Sequence, residues 1–225
     1  MEILKVRMDE ALRYMGFSDK KPDDTFMDMV YEVEKELLLA CKPKYTYKIF
    51  DVKDISFEKN EVSLKNCNLV LKGKDITNHL KDCNKVAIMA CTASAEVDRL
   101  MRIYKVCDMT KAVVCDSMAS ALAEQICDEA QKEITEKING YTTWRFSCGY
   151  GDFPLETQKE ISSLLDTPKT IGATVTESYL MTPLKSVTAV FGISDKPVPK
   201  KRMGCESCNM RENCKFRKRG ERCEF

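Results

Sequence analysis

Residues 145–154 combine the side chains and the backbone best suited to ligand binding in this sequence. The stretch reads Arg-Phe-Ser-Cys-Gly-Tyr-Gly-Asp-Phe-Pro, a composition that suits neither a helix nor a regular strand. Arg145 carries a planar guanidinium that can pair with a carboxylate through two hydrogen bonds. Gly149 and Gly151 permit positive φ and leave space beside the main chain. The stretch therefore predicts a loop whose backbone approaches a ligand closely.

A second group of reactive side chains lies near the C-terminus, in the spacing Cys205-x2-Cys208-x5-Cys214-x8-Cys223. Four thiolates can hold one zinc ion or one iron–sulfur cluster, and basic neighbours would favour the thiolate form. The spacing matches neither the common ferredoxin run nor a standard zinc ribbon, so both metals remain open, as do free thiols. The other cysteines are scattered, several within apolar runs, and are predicted to be small core residues.

Composition excludes several classes of partner. The chain of 225 residues has 36 Lys and Arg against 35 Asp and Glu, so no overall charge favours nucleic acid or a membrane surface. Met1 to Arg7 lack the apolar run of a signal peptide, and no apolar run reaches the length of a membrane span. We therefore expect a cytoplasmic protein whose twelve cysteines do not form a disulfide framework.

A change in charge divides the chain near its end. Residues 200–225 hold nine Lys or Arg against four Asp or Glu, whereas the rest of the chain holds 27 against 31. Pro197 and Pro199 precede this change and are typical of a linker. The sequence thus predicts a main domain over residues 1–199 and a basic, Cys-rich tail over residues 200–225.

The elements that position the loop are indicated by apolar periodicity. Helices are predicted from Met8 to Gly16, from about Asp24 to Cys41 and from Met109 to Ile138, the last with an apolar stripe of Val113, Met118, Leu122, Ile126, Ala130 and Ile134. Strands are predicted for short runs within residues 45–71, for Val86–Cys91, near Ile171 to Val175 and for Lys185–Ile193. A helical segment is predicted over Leu155–Asp166.

Local caps and the single histidine complete these expectations. Asp75 is predicted to cap a short helix that ends at Leu80, and Thr92 to Ser94 are predicted to cap the helix that follows the buried strand. His79, with no second histidine in the chain, is predicted to lie on the surface, so a histidine-based catalytic centre is not expected. Glu124 lies near the middle of the longest helix among small residues, which would let another segment approach it.

Three of these segments resemble the activation domain of cobalamin-dependent methionine synthase. Arg145-Phe-Ser-Cys-Gly-Tyr150 is similar to that family's Arg-x-x-x-Gly-Tyr loop. Ala121-Leu-Ala-Glu124 and Thr176-Glu-Ser-Tyr-Leu-Met181, the latter with Pro183, match two further blocks in the family's order. The resemblance spans roughly residues 85–194. It implies an α+β fold in which a mixed or antiparallel twisted sheet packs with long helices.

The resemblance also implies a ligand and a reaction. Arg145, Ser147, Gly149 and Tyr150 match the family's loop for S-adenosylmethionine, and Glu124 matches the acidic residue on the facing helix. The implied role is to hold the methyl donor while cob(II)alamin on a separate corrinoid methyltransferase is reductively methylated. No residue of this chain need act as an acid or base. The electron would come from a reductase, a flavodoxin or a ferredoxin, or through an iron–sulfur cluster in the tail.

The sequence departs from the family in two places. The family's further ligand-binding aspartate near the N-terminus has no match here, and Phe191-Gly-Ile-Ser194 replaces an aromatic-rich segment. An alternative hypothesis is therefore a non-enzymatic iron–sulfur module that docks on a corrinoid protein without a working S-adenosylmethionine site. A zinc-stabilised protein of unrelated role is the third.

Overall fold

The structure is a computed structural model that describes residues 5–17, 22–138, 140–198 and 212–218. Its helices are α1 (Met8–Tyr14), α2 (Asp24–Ala40), α3 (Lys74–Leu80), α4 (Ala95–Cys107), α5 (Met109–Glu136), α6 (Thr157–Leu165), α7 (Thr167–Thr170) and α8 (Lys215–Lys218). Its strands are β1 (Lys44–Ser56), β2 (Glu61–Leu64), β3 (Val70–Lys72), β4 (Lys85–Thr92), β5 (Tyr141–Thr142), β6 (Thr174–Val175), β7 (Met181–Thr182) and β8 (Ser186–Ser194).

Six strands form one sheet in the order β3-β2-β1-β4-β8-β5, and β6 pairs with β7 in a separate hairpin. The pairs β1–β2, β2–β3 and β5–β8 are antiparallel. β4 is buried from Val86 to its end, and β8 is buried from Thr188 to its end, as expected for strands covered on both faces. The predicted α+β fold with an antiparallel sheet and long helices is confirmed.

The chain divides into two compact units. The first contains Met1–Thr46, Met89–Lys137 and Leu165–Val187. It includes α1, α2, α4, α5, α7 and the β6–β7 hairpin, and α5 packs against α1, α2 and α4. The second contains Tyr47–Ile88, Ile138–Leu164 and Thr188–Phe225, and it includes α3, α6 and the 145–154 loop.

The helices of the first unit follow their sequence signals closely. The Asp23 side chain accepts a hydrogen bond from Phe26 N at 2.8 Å and caps α2, whose Val30, Val33 and Leu37 form a buried stripe. In α5 the predicted stripe is buried except at Val113, which is 56% exposed. Val114 is buried instead, because it lies four residues before Met118 and so continues the same face.

Two local predictions were wrong. Ser94 occupies the residue before α4, but its hydroxyl makes no cap; it donates to Ala40 O and accepts from Lys42 N, both at 3.3 Å. The strand predicted near Ile171 to Val175 is reduced to β6, because Ile171 still belongs to the end of α7. Within the described ranges, none of the helices is both long and apolar enough to cross a membrane.

Candidate functional site

The first half of the loop is an extended segment with alternating burial. Phe146 forms a two-hydrogen-bond antiparallel bridge with Val190 of β8, at 2.7 and 2.9 Å. Phe146 and Cys148 are buried, whereas Arg145 and Ser147 are half-buried and Gly149 is exposed. Because alternate residues of an extended chain face opposite sides, Arg145 and Ser147 lie on one outer face, and Gly149 is exposed in the turn that follows. All three match the ligand loop that the sequence predicted.

An irregularity in the pairing with β8 lies immediately before this bridge. β5 pairs with β8 in one register, which continues to the hydrogen bond from Thr143 N to Gly192 O at 3.0 Å. The next pairing joins Phe146 to Val190. The loop side has therefore advanced three residues where β8 has advanced two, which is the pattern of a β-bulge. The additional residue falls within 144–145, so the bulge adjoins or includes Arg145.

His79 contacts this bulge, so its predicted place on the surface was wrong. The residue is half-buried on α3, with ring centroids 4.4 Å from Trp144 and 5.3 Å from Phe146. Its Nε2 atom lies 2.9 Å from Trp144 O and 2.9 Å from the hydroxyl of Thr143. Because a carbonyl oxygen only accepts, Nε2 carries the hydrogen in the bond to Trp144.

The opposite ring nitrogen of His79 is in a different environment. Nδ1 is buried and makes no hydrogen bond within the part of the chain that the structure describes. Burial lowers the pKa of His79 from 6.5 to about 4, and the bond to Trp144 opposes this shift only in part. The imidazole is therefore neutral at physiological pH.

The second half of the loop is a tight turn. Gly149 has φ +87°, and its N–H donates to Phe153 O at 2.9 Å, while Phe153 N–H donates to Tyr150 O at 3.0 Å. The Phe153 ring is buried, so the turn is attached to the core, whereas the Tyr150 ring is 52% exposed. The turn thus presents Gly149 and Tyr150 outward from a fixed base.

Asp152 ties this turn to the start of α3. Its two carboxylate oxygens accept hydrogen bonds from Lys74 N at 2.7 Å and Asp75 N at 2.9 Å. The cap predicted for Asp75 was wrong, because Asp75 lies in the first turn and the residue before the helix, Gly73, has no side chain. The carboxylate of Asp152, which follows Lys74 by 78 residues and Asp75 by 77 residues in the sequence, replaces the missing local cap.

Gly151 is required by the same contact. It has φ +55°, and a Cβ atom there would lie 2.1 Å from Asp75 Oδ2 and 3.0 Å from Asp75 Cγ. A residue with a side chain would fit at this point only if the Asp75 side chain moved, and the positive φ would add backbone strain. The loop glycines therefore have different roles, since Gly149 faces outward and Gly151 permits packing.

Cys148 lies within the loop but is not suited to nucleophilic chemistry. Burial raises the pKa of its thiol to about 12, and its contact with Thr188 opposes the shift only in part. The thiol is therefore protonated at physiological pH.

Glu124 lies in the first unit, whereas the loop lies in the second. It is half-buried on α5 near Tyr14 of α1. The pKa of Tyr14 is raised by burial first, then by Glu10, with a smaller contribution from the charge of Glu124. Glu124 is thus partly enclosed, near a tyrosine that also contacts Glu10 and Arg13. Its predicted role toward the ligand stays a prediction.

The predicted metal site falls mostly outside the described residues. Cys205, Cys208 and Cys223 lie there, and only Cys214 is described, as a half-buried thiol just before α8. Among the residues that the structure does describe, no group of three or more His, Cys, Asp or Glu side chains could hold a metal ion. The metal ligands in the tail remain a prediction.

Comparison with known proteins supports the resemblance seen in the sequence. A family model described as vitamin B12 dependent methionine synthase, activation domain, matches residues 71–198. A solved structure described as the crystal structure of the MetH reactivation domain bound to AdoHcy matches with a TM-score of 0.64 and 14% sequence identity. The match covers 96% of this chain and 82% of that chain. A search of curated proteins finds no match.

The family match and the structural match agree with the fold described above. The likeness to the solved structure shows a common fold, and the family model spans more than half of the chain, including Glu124 and the whole loop. This chain therefore belongs to the family of the vitamin B12 dependent methionine synthase activation domain.

Proposed function

We propose that the chain binds S-adenosylmethionine on the outer face of the Arg145–Tyr150 loop. We further propose that it serves as the methyl-donor site for reactivating a separate corrinoid protein, a cobalamin-dependent methionine synthase or a related methyltransferase. One observation carries the proposal: Arg145 and Ser147 share the outer face of an extended segment, this segment leads directly into the exposed turn at Gly149 and Tyr150, and both ends of the loop are attached to the core.

The chemistry of these residues fits each part of the ligand. The guanidinium of Arg145 can bind the ligand's carboxylate through two parallel hydrogen bonds. Gly149 leaves its backbone uncovered for the nucleoside, and the exposed ring of Tyr150 can form a wall beside it. We propose that the Glu124 carboxylate accepts hydrogen bonds from the ammonium group of the ligand and favours the nearby sulfonium charge.

The solved structure of similar fold supports this choice of ligand, because its description names AdoHcy, the demethylated form of S-adenosylmethionine. Its identity of 14% is too low to transfer individual contacts. The ligand assignment therefore rests on the loop residues themselves, with the similar fold as support.

The reaction needs one electron and one methyl group. The electron would come from a donor such as a reductase, flavodoxin or ferredoxin and would reduce cob(II)alamin on the partner. The S-adenosylmethionine held by this chain would then supply the methyl group to the reduced cobalamin, and S-adenosylhomocysteine would be released. This chain contributes by positioning the donor, which can lower the barrier by several kcal/mol without acid or base catalysis.

We propose that the tail cysteines, Cys205, Cys208, Cys214 and Cys223, bind an iron–sulfur cluster, with zinc as the alternative. A cluster attached to the methyl-donor domain would place an electron carrier in the same protein. Anaerobic purification followed by metal analysis and a visible spectrum distinguishes an iron–sulfur cluster from a zinc ion. Iron, sulfide and a reducible brown chromophore are expected, whereas a colourless protein with one zinc would disprove the cluster.

Calorimetric titration with S-adenosylmethionine tests the main proposal. Saturable binding to the wild-type protein is expected, followed by methylation of a cob(II)alamin methyltransferase when a reductant is added. A protein with a reducible cluster and no binding heat would instead support the alternative, a redox module that docks on the corrinoid protein.

A further inference from the structure

We propose that α3 is a clamp that holds the Arg145 loop in its binding geometry, and that His79 is a positioning residue for that loop. The structural part concerns only contacts within the second unit. The expected effect on affinity rests on the proposed function, because it assumes that the loop binds S-adenosylmethionine.

The first point of attachment is the bulge before Arg145. In the antiparallel pattern set by the bond from Thr143 N to Gly192 O, the backbone polar groups of the next residue face away from β8, so the Trp144 carbonyl needs a donor from another element. His79 Nε2 supplies one at 2.9 Å, and the Thr143 hydroxyl approaches the same oxygen at 3.2 Å. The Thr143 oxygen is in turn fixed by Gly192 N at 2.8 Å. The backbone entering Arg145 is thus held from α3 and from β8.

The second point of attachment is the end of the turn. Asp152 receives the first two amides of α3, and Gly151 packs against Asp75 without a side chain between them. These contacts are made by the first and second residues after Tyr150. The residues that match the ligand loop therefore all lie between two attachments to a single short helix.

α3 itself is firmly placed. Ile76 and Leu80 are fully buried, and the Thr77 hydroxyl donates to Gly73 O at 2.7 Å. A helix with a buried face moves little relative to its core, because the interior is packed at high density. Both ends of the loop are therefore attached to an element that moves little. A loop that already has its binding conformation loses less conformational entropy when the ligand binds.

His79→Leu and His79→Gln provide a matched pair of variants. Leucine retains apolar bulk but offers no donor to Trp144 O, whereas the glutamine side-chain amide can place an N–H near the position of Nε2. Asn78→Ala, at an exposed position of the same helix, is the control. All three variants are compared by circular dichroism, so that affinity is measured only on folded protein.

Two measurements are made on each variant. Calorimetry with S-adenosylmethionine should show binding about tenfold weaker in His79→Leu, which corresponds to about 1.4 kcal/mol, because the Trp144 carbonyl then keeps only the longer hydrogen bond from Thr143 at 3.2 Å. His79→Gln and Asn78→Ala should stay within about twofold of wild type, a difference well below one hydrogen bond. Trp144 is the only tryptophan, so its emission reports on the bulge directly. His79→Leu should shift that emission and increase quenching by acrylamide.

The two proposals fail in different ways. If wild-type protein does not bind S-adenosylmethionine, the proposed function fails, and the clamp is then judged on Trp144 emission and quenching alone. The clamp is disproved if folded His79→Leu retains wild-type emission and quenching. It is also disproved if its affinity equals that of wild type, or if His79→Gln is as impaired as His79→Leu.

Discussion

The Nε2 atom of His79 lies 2.9 Å from the carbonyl oxygen of Trp144, the residue immediately before Arg145. The donor lies on a short helix 65 residues earlier in the chain, and the acceptor lies in a bulge beside the last strand of the sheet. This hydrogen bond connects the only histidine and the only tryptophan of the protein to the loop proposed to bind the ligand.

Arg145→Ala should weaken S-adenosylmethionine binding by about tenfold to a hundredfold, because hydrogen bonds to a charged group contribute about 1.5–3 kcal/mol. Arg145→Lys should recover only part of the loss, since an ammonium cannot form the two-point pair. Calorimetric titration measures both. Arg102→Ala, at an exposed position of α4, controls for the loss of one positive charge. Equal affinity in Arg145→Ala and wild type would contradict the assigned role.

Gly151→Ala should destabilise the second unit more than its backbone conformation alone requires. An added Cβ would lie 2.1 Å from Asp75 Oδ2 and 3.0 Å from its Cγ, so the Asp75 side chain must move. Gly172→Ala is the matched control, because Gly172 also has positive φ, +72°, but no atom lies within 4 Å of its Cβ position. We expect a loss of about 1 kcal/mol for the control and about 1–3 kcal/mol more for Gly151→Ala. Urea unfolding measures the difference, and equal losses would show that the packing against Asp75 is unimportant.

Asp152→Ala should remove the cap of α3 and lower the free energy of unfolding by about 1 kcal/mol. Asp152→Asn should lose less, because its amide oxygen can still accept one of the two backbone hydrogen bonds. Faster hydrogen exchange is expected at Lys74 and Asp75, whose amides bond to Asp152. Glu156→Gln removes an exposed carboxylate from the same region and should leave exchange at these amides unchanged. Unchanged exchange in Asp152→Ala would argue against the cap.

Stability should fall as the pH is lowered from about 6.5 toward 4, because of His79. The pKa of His79 is 6.5 in the unfolded chain but about 4 in the folded protein. Between these values the unfolded state binds more protons, so acid favours unfolding. His79→Gln should remove this part of the dependence. Urea unfolding at pH 7 and pH 5 tests it without interference from a second histidine, since the chain has only one. If the free energy of unfolding changed equally between pH 7 and pH 5 in wild type and in His79→Gln, the burial of His79 would be contradicted.

Patterns of period and spacing in the sequence are sufficient to predict much of the fold. The apolar stripe of α2 with its Asp23 cap and the continuous apolar run of β4 both depend on neighbours within one or two turns or along one strand. The family loop was recognisable because Arg145, Gly149 and Tyr150 are close together in the chain. The membership of the chain in the activation domain family is confirmed by the match over residues 71–198.

Only the tertiary structure could decide the contacts that hold the loop. Asp75 is the residue that local rules select as a cap, yet the cap comes from Asp152, because Gly73 brings the loop close enough to supply a carboxylate. His79 is polar and solitary in the sequence, so only the position of Trp144, at a bulge in another segment, accounts for its burial. Periodicity encodes which face of an element is buried, whereas the partner across the fold depends on how distant segments pack. The sequence by itself therefore indicated which loop could bind, and the packing of α3 decided how that loop is held.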